Sequence, residues 1–193
     1  IARPYIGITG IDVDESKAKQ YNLVKGIYIQ SVDNFSAAEK AGLKSGDMVY
    51  ISGTIYTARD AAHKRFFELL DSGEELPFSL DGACIYYCGP TPTPEGLAIG
   101  SAGPTTSGRM DPYAPRLLDL GLAAMIGKGA RNDAVNEALC RNGAVYFAAI
   151  GGAGALYSKC ITECEVIAFS DLGPESVKRL TFKDFPLIVA TDS

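Results

Sequence analysis

The stretch AAMIGKGARNDAVNEALCRNGAVYFAAI, residues 123–150, decides the fold. It opens on an apolar run, Ala123–Ile126, whose texture predicts a strand. Asn132 and Asp133 follow as helix-starting residues, because a short polar side chain can accept from the free N–H groups of a first helical turn. That helix runs through Arg141 and stops at Asn142-Gly143, where glycine suits the left-handed backbone that ends helices. A second apolar run, Ala144–Ile150, predicts another strand. Neither run alternates with polar residues, so both faces of each strand are expected to be buried.

The same alternation extends outward. Upstream, Ala58–Leu70 predicts a helix ending at Gly73, with Ala62, Phe66, Leu69 and Leu70 on one face. Strand-like runs follow at Ala83–Tyr87 and Leu97–Ile99. Asp111-Pro112 predicts a helix start, since Asp caps and Pro suits the first turn. Leu117, Leu118 and Leu120 carry that helix's apolar side. Downstream, Glu165–Ser170 and Pro186–Ala190 read as strands. Toward the N-terminus, strands are expected at residues 4–11, 26–32 and, after a Gly46-Asp47 turn, Met48–Ser52. Glu15–Tyr21 has weak helical character, and Ser36 caps a short helix that stops at Gly42. Helices alternating with buried strands define an α/β fold.

Composition bounds the function. The 193 residues suit one large domain, or one domain with a smaller module. Hydrophobic residues make up 47% and charged residues 21%, which is globular and not disordered. A net charge of −5 argues against a nucleic-acid or membrane-surface role. The longest uncharged stretch, Asn142–Ser158, contains four glycines and is shorter than the ~20 apolar residues of a membrane helix. No signal peptide opens the chain, and Ile1 in place of Met marks a start that is missing, processed or cut away. Five cysteines, an odd number, do not suggest a disulfide framework, so the reducing cytoplasm is the expected compartment. Cys84/Cys88 and Cys160/Cys164 share a C-x3-C spacing that a zinc or iron–sulfur site could use. Against that, Cys84-Ile-Tyr-Tyr-Cys88 reads as a buried strand, and buried structural thiols are the expectation.

Four segments depart from what a core needs. In Thr54–Arg65 a polar strand end runs into a helix start, and Arg59 sits in the first turn, where the macrodipole disfavours a cation. Such an Arg tends to meet a carboxylate or phosphate with its planar fork. His63, the single histidine, lies four residues on and is expected on the same face, half-buried. In Gly100–Asp111, glycines and the hydroxyls of Thr105, Thr106 and Ser107 precede Arg109; this is either an anion-approaching loop or an ordinary surface turn. Lys128, flanked by glycines, stands at the carboxyl end of a buried strand, the usual mouth of an α/β site, although a solvated lysine fits as well. Gly151-Gly152-Ala153-Gly154 could open a helix toward an anion, but close packing explains those glycines equally. Arg59, Arg109 and Lys128 together suit a small polyanion such as a dicarboxylate.

From about Leu43 to Ser193 the sequence resembles the β subunit, or C-terminal domain, of class I iron–sulfur fumarases and L(+)-tartrate dehydratases. The motifs are SGTIYTARDAAHKR (52–65), IYYCGP (85–90), IGSAGPTTSGRMDPY (99–113), MIGKGAR (125–131) and GAVYFAAIGGAGAL (143–156). The resemblance implies a swivelling β/β/α domain over residues 48–193 that closes on a C4 dicarboxylate, fumarate/malate or tartrate. It makes Arg59, Arg109 and Lys128 substrate-carboxylate ligands, gives Thr105 a part in proton transfer, and has His63 support the site. It also implies a 4Fe–4S cluster carried by a separate α subunit and by no residue of this chain, so the chain alone is expected to be inactive.

Residues 1–47 resemble the first half of a PDZ domain of bacterial HtrA-type proteases. The residues that carry this are RPYIGITGIDVD (3–14), AKQYNL (18–23), GIYIQSVD (26–33) and SAAEKAGLKSGD (36–47). YIGI (5–8) would correspond to a carboxylate-binding loop. LKSGD (43–47) suits both families and reads as the junction of a chimera. Peptide-carboxylate binding is therefore the alternative to hydro-lyase chemistry. For assembly, a homodimer is the base-rate expectation.

Overall fold

The computed structural model describes residues 8–13, 26–32 and 43–191. Its strands are β1 (Ile8–Val13), β2 (Gly26–Val32), β3 (Met48–Thr57), β4 (Cys84–Tyr86), β5 (Ala124–Gly127), β6 (Val145–Ala148), β7 (Ile161–Ala168) and β8 (Val177–Thr191). The helices are α1 (Asp60–Ser72), α2 (Ala114–Asp119), α3 (Asp133–Asn142) and the single turn α4 (Gly154–Tyr157), with short 3-10 turns at Ser107–Met110, Ser158–Cys160 and Ser170–Glu175.

The sheet closes on itself. β3, β4, β5 and β6 run parallel side by side. β8 pairs antiparallel with both β6 and β3 and so completes a five-stranded ring. β2 extends from β3 in parallel, β1 pairs antiparallel with β2, and β7 pairs antiparallel with β8. The expected α/β layering is thus observed as a mixed α/β fold around a barrel-like sheet. One strand can serve so many neighbours because it bends. The β3–β8 register shifts between Ile51 and Gly53, Gly53 takes φ 133° and Asp184 φ 55°, and the Asp184 N–H donates to Ser52 Oγ at 2.9 Å. Bulges of this kind re-aim a strand and increase its twist.

Period-two alternation sorts the strand residues into two cores. Cys84, Tyr86, Ile126 and Phe147 join Ile51, Ile55, Phe182 and Phe185 in one cluster. Ile85, Tyr87, Met125 and Tyr146 join Ala62, Phe66, Leu117, Leu118, Val135 and Leu139 of the helices in the other. Both faces are buried, which is why these strands read as unbroken apolar runs. The caps of α3 behave as local chemistry dictates: Asn132 Oδ1 accepts from the Val135 N–H at 2.9 Å, and Gly143 ends the helix at φ 61°. Gly73 ends α1 in the same way at φ 74°.

Several expectations are corrected. Leu97–Ile99 is irregular and not a strand: the 91–101 loop folds on itself, with the Ser101 N–H donating to Thr91 Oγ1 at 2.8 Å and Leu97 60% exposed. Asp111 caps no helix. Its carboxylate is taken by Arg131 and the Asn132 N–H, and α2 begins later, at Ala114, with Pro115 in its first turn. The strand expected at Glu165–Ser170 lies at Ile161–Ala168, because Phe169 turns the chain at φ 53°. Met48–Ser52 and Pro186–Ala190 are fragments of the longer β3 and β8. The helices expected at Glu15–Tyr21 and Ser36–Gly42 lie outside the described residues, as do residues 4–7 of the first strand.

Candidate active site

Because β3 to β6 are parallel neighbours, the segments leaving their carboxyl ends gather on one rim, where α/β folds place ligands. The 100–109 loop crosses this rim and is stitched to it by main chain. Cys88 bridges Pro104, and Thr106 bridges Lys128. The Thr105 N–H donates to Tyr87 O at 2.7 Å, the Lys128 N–H to Thr105 O at 3.2 Å, and the Ser107 N–H to Lys128 O at 2.8 Å. The Ala102 N–H reaches Gly154 O at 3.1 Å. Arg59, Thr105, Arg109 and Lys128, far apart in sequence, are thereby carried on adjoining segments.

Arg59 is the N-cap of α1 and not part of its first turn; its backbone is extended at φ −124°, ψ −164°. Its Nη2 lies 3.4 Å from Glu175 Oε1, with the side chain 22% exposed. Gly89 sits directly against it, and a Cβ there would lie 2.5 Å from Arg59 Nη1. The expectation of a face shared by Arg59 and His63 is replaced by a backbone link: Arg59 O accepts from the His63 N–H at 2.8 Å and from His63 Nδ1 at 2.8 Å. A carbonyl can only accept, so Nδ1 carries the imidazole proton.

His63 is wholly buried, not half-buried, among the rings of Phe66, Tyr87 and Tyr113. Its Nε2 has no hydrogen-bond partner among the described residues. Burial pushes its pKa down to about 4, leaving a neutral ring. The folded pKa lies below the unfolded value near 6.5, so the unfolded chain binds the extra proton between those values. This contribution to stability is complete above about pH 6.5 and is lost as pH falls toward 4, a loss of about 3 kcal/mol. As the chain has one histidine, imidazole NMR reads it directly. The expected titration midpoint is near 4; a midpoint near 6.5 would contradict the burial argument.

Arg109 is half exposed and forks onto the first residue of α1: Nε donates to Asp60 Oδ1 at 2.9 Å, and Nη2 lies 2.7 Å from Oδ2. Lys128 leaves the end of β5 half-buried, with Gly151 against its stem; a Cβ on Gly151 would lie 3.5 Å from Lys128 Cδ. Among the described residues no carboxylate pairs with its ammonium. Thr105 is half-buried, with its backbone fixed on both sides. The arrangement offers one unpaired cation and two cations each held by a single acid, a set that can receive two carboxylates.

Sequence reasoning missed the residues behind this rim. Arg131 has a fully buried side chain. Its Nε donates to Asp111 Oδ1 at 2.7 Å, and its guanidinium lies between the rings of Tyr87 (5.3 Å) and Tyr146 (5.2 Å). The Tyr146 hydroxyl donates to Gly129 O at 2.7 Å and lies 2.9 Å from Ser107 Oγ, which ties the Lys128 segment to the crossing loop. Gly127 is required at that contact: a Cβ would lie 2.0 Å from Ser107 Oγ.

The Cys84/Cys88 pair does not suit a metal cluster. Cys84 and Cys88 are buried in the apolar core, where desolvation pushes Cys88 up to about 12 and Cys84 higher. Cluster ligation needs thiolates. No three His, Cys, Asp or Glu side chains converge among the described residues.

Residues 11–193 match the family described as "Fumarase C-terminus". The chain is similar to "Fumarate hydratase 2" of Leishmania major, 40% identical over 149 residues, which are 76% of this chain and 26% of the relative. It is similar to "Fumarate hydratase class I, anaerobic" of Escherichia coli (strain K12), 40% identical over 144 residues, 74% of this chain and 26% of the relative. The chain thus spans about a quarter of the length of these relatives. It is also similar to "Putative L(+)-tartrate dehydratase subunit beta" of Methanocaldococcus jannaschii, 41% identical over 157 residues, 78% of this chain and 80% of the relative.

Proposed function

The chain belongs to the fumarase C-terminus family, and on that premise we propose that it is the β-subunit-like half of a class I hydro-lyase acting on a C4 dicarboxylate, fumarate/malate or tartrate. The observation that carries the reading is the rim of Arg59, Arg109 and Lys128, where no acid among the described residues pairs with Lys128. Similarity over 80% of a tartrate dehydratase β subunit supports assembly with an α subunit. The family resemblance assigns the 4Fe–4S group of the proposed enzyme to that partner, and no step on this chain runs through it. A homodimer of such pairs and a cytoplasmic location complete the proposal. Among the described residues no helix is long and apolar enough to cross a membrane.

In this mechanism Arg59, Arg109 and Lys128 bind the two substrate carboxylates. Removing a proton from the carbon beside a carboxylate pushes negative charge onto that carboxylate, so cations already in place stabilise the transition state more than the substrate. Thr105 exchanges the proton at that carbon. An alcohol is a weak base and needs an assisting neighbour; the Lys128 ammonium, on a segment whose backbone N–H donates to the Thr105 carbonyl at 3.2 Å, is the cation proposed for that part. His63 acts through Arg59, holding that residue's carbonyl while remaining neutral and buried. Domain closure by swivelling would exclude water from the rim.

Lys128→Ala in the assembled enzyme is expected to lower kcat/KM by ~10²–10³, the size of effect seen when one preorganised charge-stabilising group is lost. Steady-state kinetics on fumarate and L-tartrate check this, and activity within threefold of the parent would sink the assignment.

The PDZ-like alternative concerns residues 1–47 as a segment distinct from 48–193. β1 stands at one end of the strand order, where an extended peptide could add. Against a separate module, the family match runs from residue 11 across the proposed junction, and β2 pairs with β3 in the same sheet. Titration with peptides that have a free carboxyl terminus distinguishes the two: the PDZ reading requires saturable binding, lost on amidation, and the hydro-lyase reading requires none.

A further inference from the structure

The turn after β7 is built around one buried cation. Lys178, the second residue of β8, is 7% exposed. Its Nζ donates to Ser176 Oγ at 2.6 Å and to the carbonyl oxygens of Gly173, Pro174 and Ser176 at 3.2–3.3 Å. No carboxylate among the described residues pairs with it. A buried ammonium held only by neutral oxygens is costly, and desolvation lowers its pKa accordingly. What it achieves is local. All its acceptors lie in residues 173–176, and Thr57 on β3 completes the clamp: Thr57 Oγ1 donates to Ser176 O at 3.3 Å and accepts from the Lys178 N–H at 3.1 Å. The segment needs such fixing, because Phe169 sits at φ 53°, a conformation disfavoured for a bulky side chain.

The clamped turn carries Glu175. Glu175 Oε1 lies 3.4 Å from Arg59 Nη2, while Oε2 accepts from the Ala61 N–H at 3.0 Å in the first turn of α1. Gly89 lies close against Nη1 of the same guanidinium. Arg59 is therefore paired with an acid carried on the turn that Lys178 clamps.

We propose that Lys178 is a positioning residue: its buried ammonium fixes the 173–176 turn so that Glu175 holds the Arg59 guanidinium in its orientation. The consequence for turnover rests on the hydro-lyase reading; the link from Lys178 to Arg59 does not.

Two readouts separate these. In the chain by itself, the rate at which phenylglyoxal labels Arg59, followed by peptide mass spectrometry, reports how firmly the guanidinium is held. Lys178→Met keeps an unbranched stem without the charge, and labelling is expected to rise ~tenfold. Glu175→Gln should do the same, and the double variant should label no faster than either single one, since both act on one link. In the enzyme assembled with its cluster-bearing partner, Lys178→Met should raise KM ~tenfold with kcat within about threefold. Lys178→Gln, which retains two N–H donors, should recover most of both effects. Unchanged Arg59 labelling in folded Lys178→Met, or additive effects in the double variant, overturns the proposal. If Lys178→Met does not fold, the cycle of Lys178→Gln with Glu175→Gln applies the same criteria. Labelling that behaves as expected in a parent assembly without turnover would uphold the link and overturn the hydro-lyase reading.

Discussion

Arg131→Ala is expected to lower the free energy of unfolding by about 3–5 kcal/mol, because it leaves the Asp111 carboxylate, only 9% exposed, without its cation. The loss is compounded by packing. The guanidinium fills the space between Tyr87 and Tyr146, and alanine would empty it. Urea unfolding followed by circular dichroism measures the loss as a shift in midpoint at unchanged m-value. The pair can be separated from the space it fills. Replacing both members, Asp111→Asn with Arg131→Met, removes the buried charges while keeping volume, and should recover a substantial part of the loss. If Arg131→Ala unfolds at the parent's midpoint, the buried pair is not what secures this region.

Arg59→Ala is expected to lower kcat/KM by ~10²–10³ in the assembled enzyme, with stability little changed. The guanidinium is partly exposed, so its removal leaves no deep cavity; the acid it releases, Glu175, still accepts from the Ala61 N–H. Gly89→Ala offers an independent approach to the same atom. Its Cβ would lie 2.5 Å from Arg59 Nη1 and 3.0 Å from Cδ, and the flexible side chain has to move. The result expected is a fold that is retained and a KM that rises ~tenfold or more, since misplaced binding groups act strongly on substrate orientation. Full activity in Gly89→Ala together with loss in Arg59→Ala would mean that the guanidinium works from a second position.

How much of this was legible depends on distance along the chain. The helix α3 is written in its own ends: Asn132 caps it and Gly143 stops it, both within hydrogen-bond reach of the residues they serve. β5 and β6 are equally clear, since burial on two faces makes an apolar run that no helix period explains. β8 was visible only as Pro186–Ala190, because its other residues earn their place by pairing with β3, β6 and β7 across the ring. Asp111 misled for a related reason. It has the form of a helix cap, but Arg131, buried twenty residues later, competes for its carboxylate and wins. At the rim, strand-end position and resemblance picked out Arg59, Thr105, Arg109 and Lys128, and the structure carries them on adjoining segments. Their acids followed no local pattern. Asp60 adjoins Arg59 in sequence yet serves Arg109, and Glu175 reaches Arg59 from more than a hundred residues away.

Whether this chain supplies the carboxylate-binding half of a two-part hydro-lyase is decided by an anaerobic assay of fumarate hydration and L-tartrate dehydration. Fumarate and L-tartrate would each be offered to the folded chain alone and to the chain reconstituted with a cluster-bearing class I α subunit. Turnover is expected only in the reconstituted enzyme, and Arg109→Ala is expected to abolish it. Turnover by the chain alone, or none in a complex shown to have assembled with its cluster intact, would contradict that role.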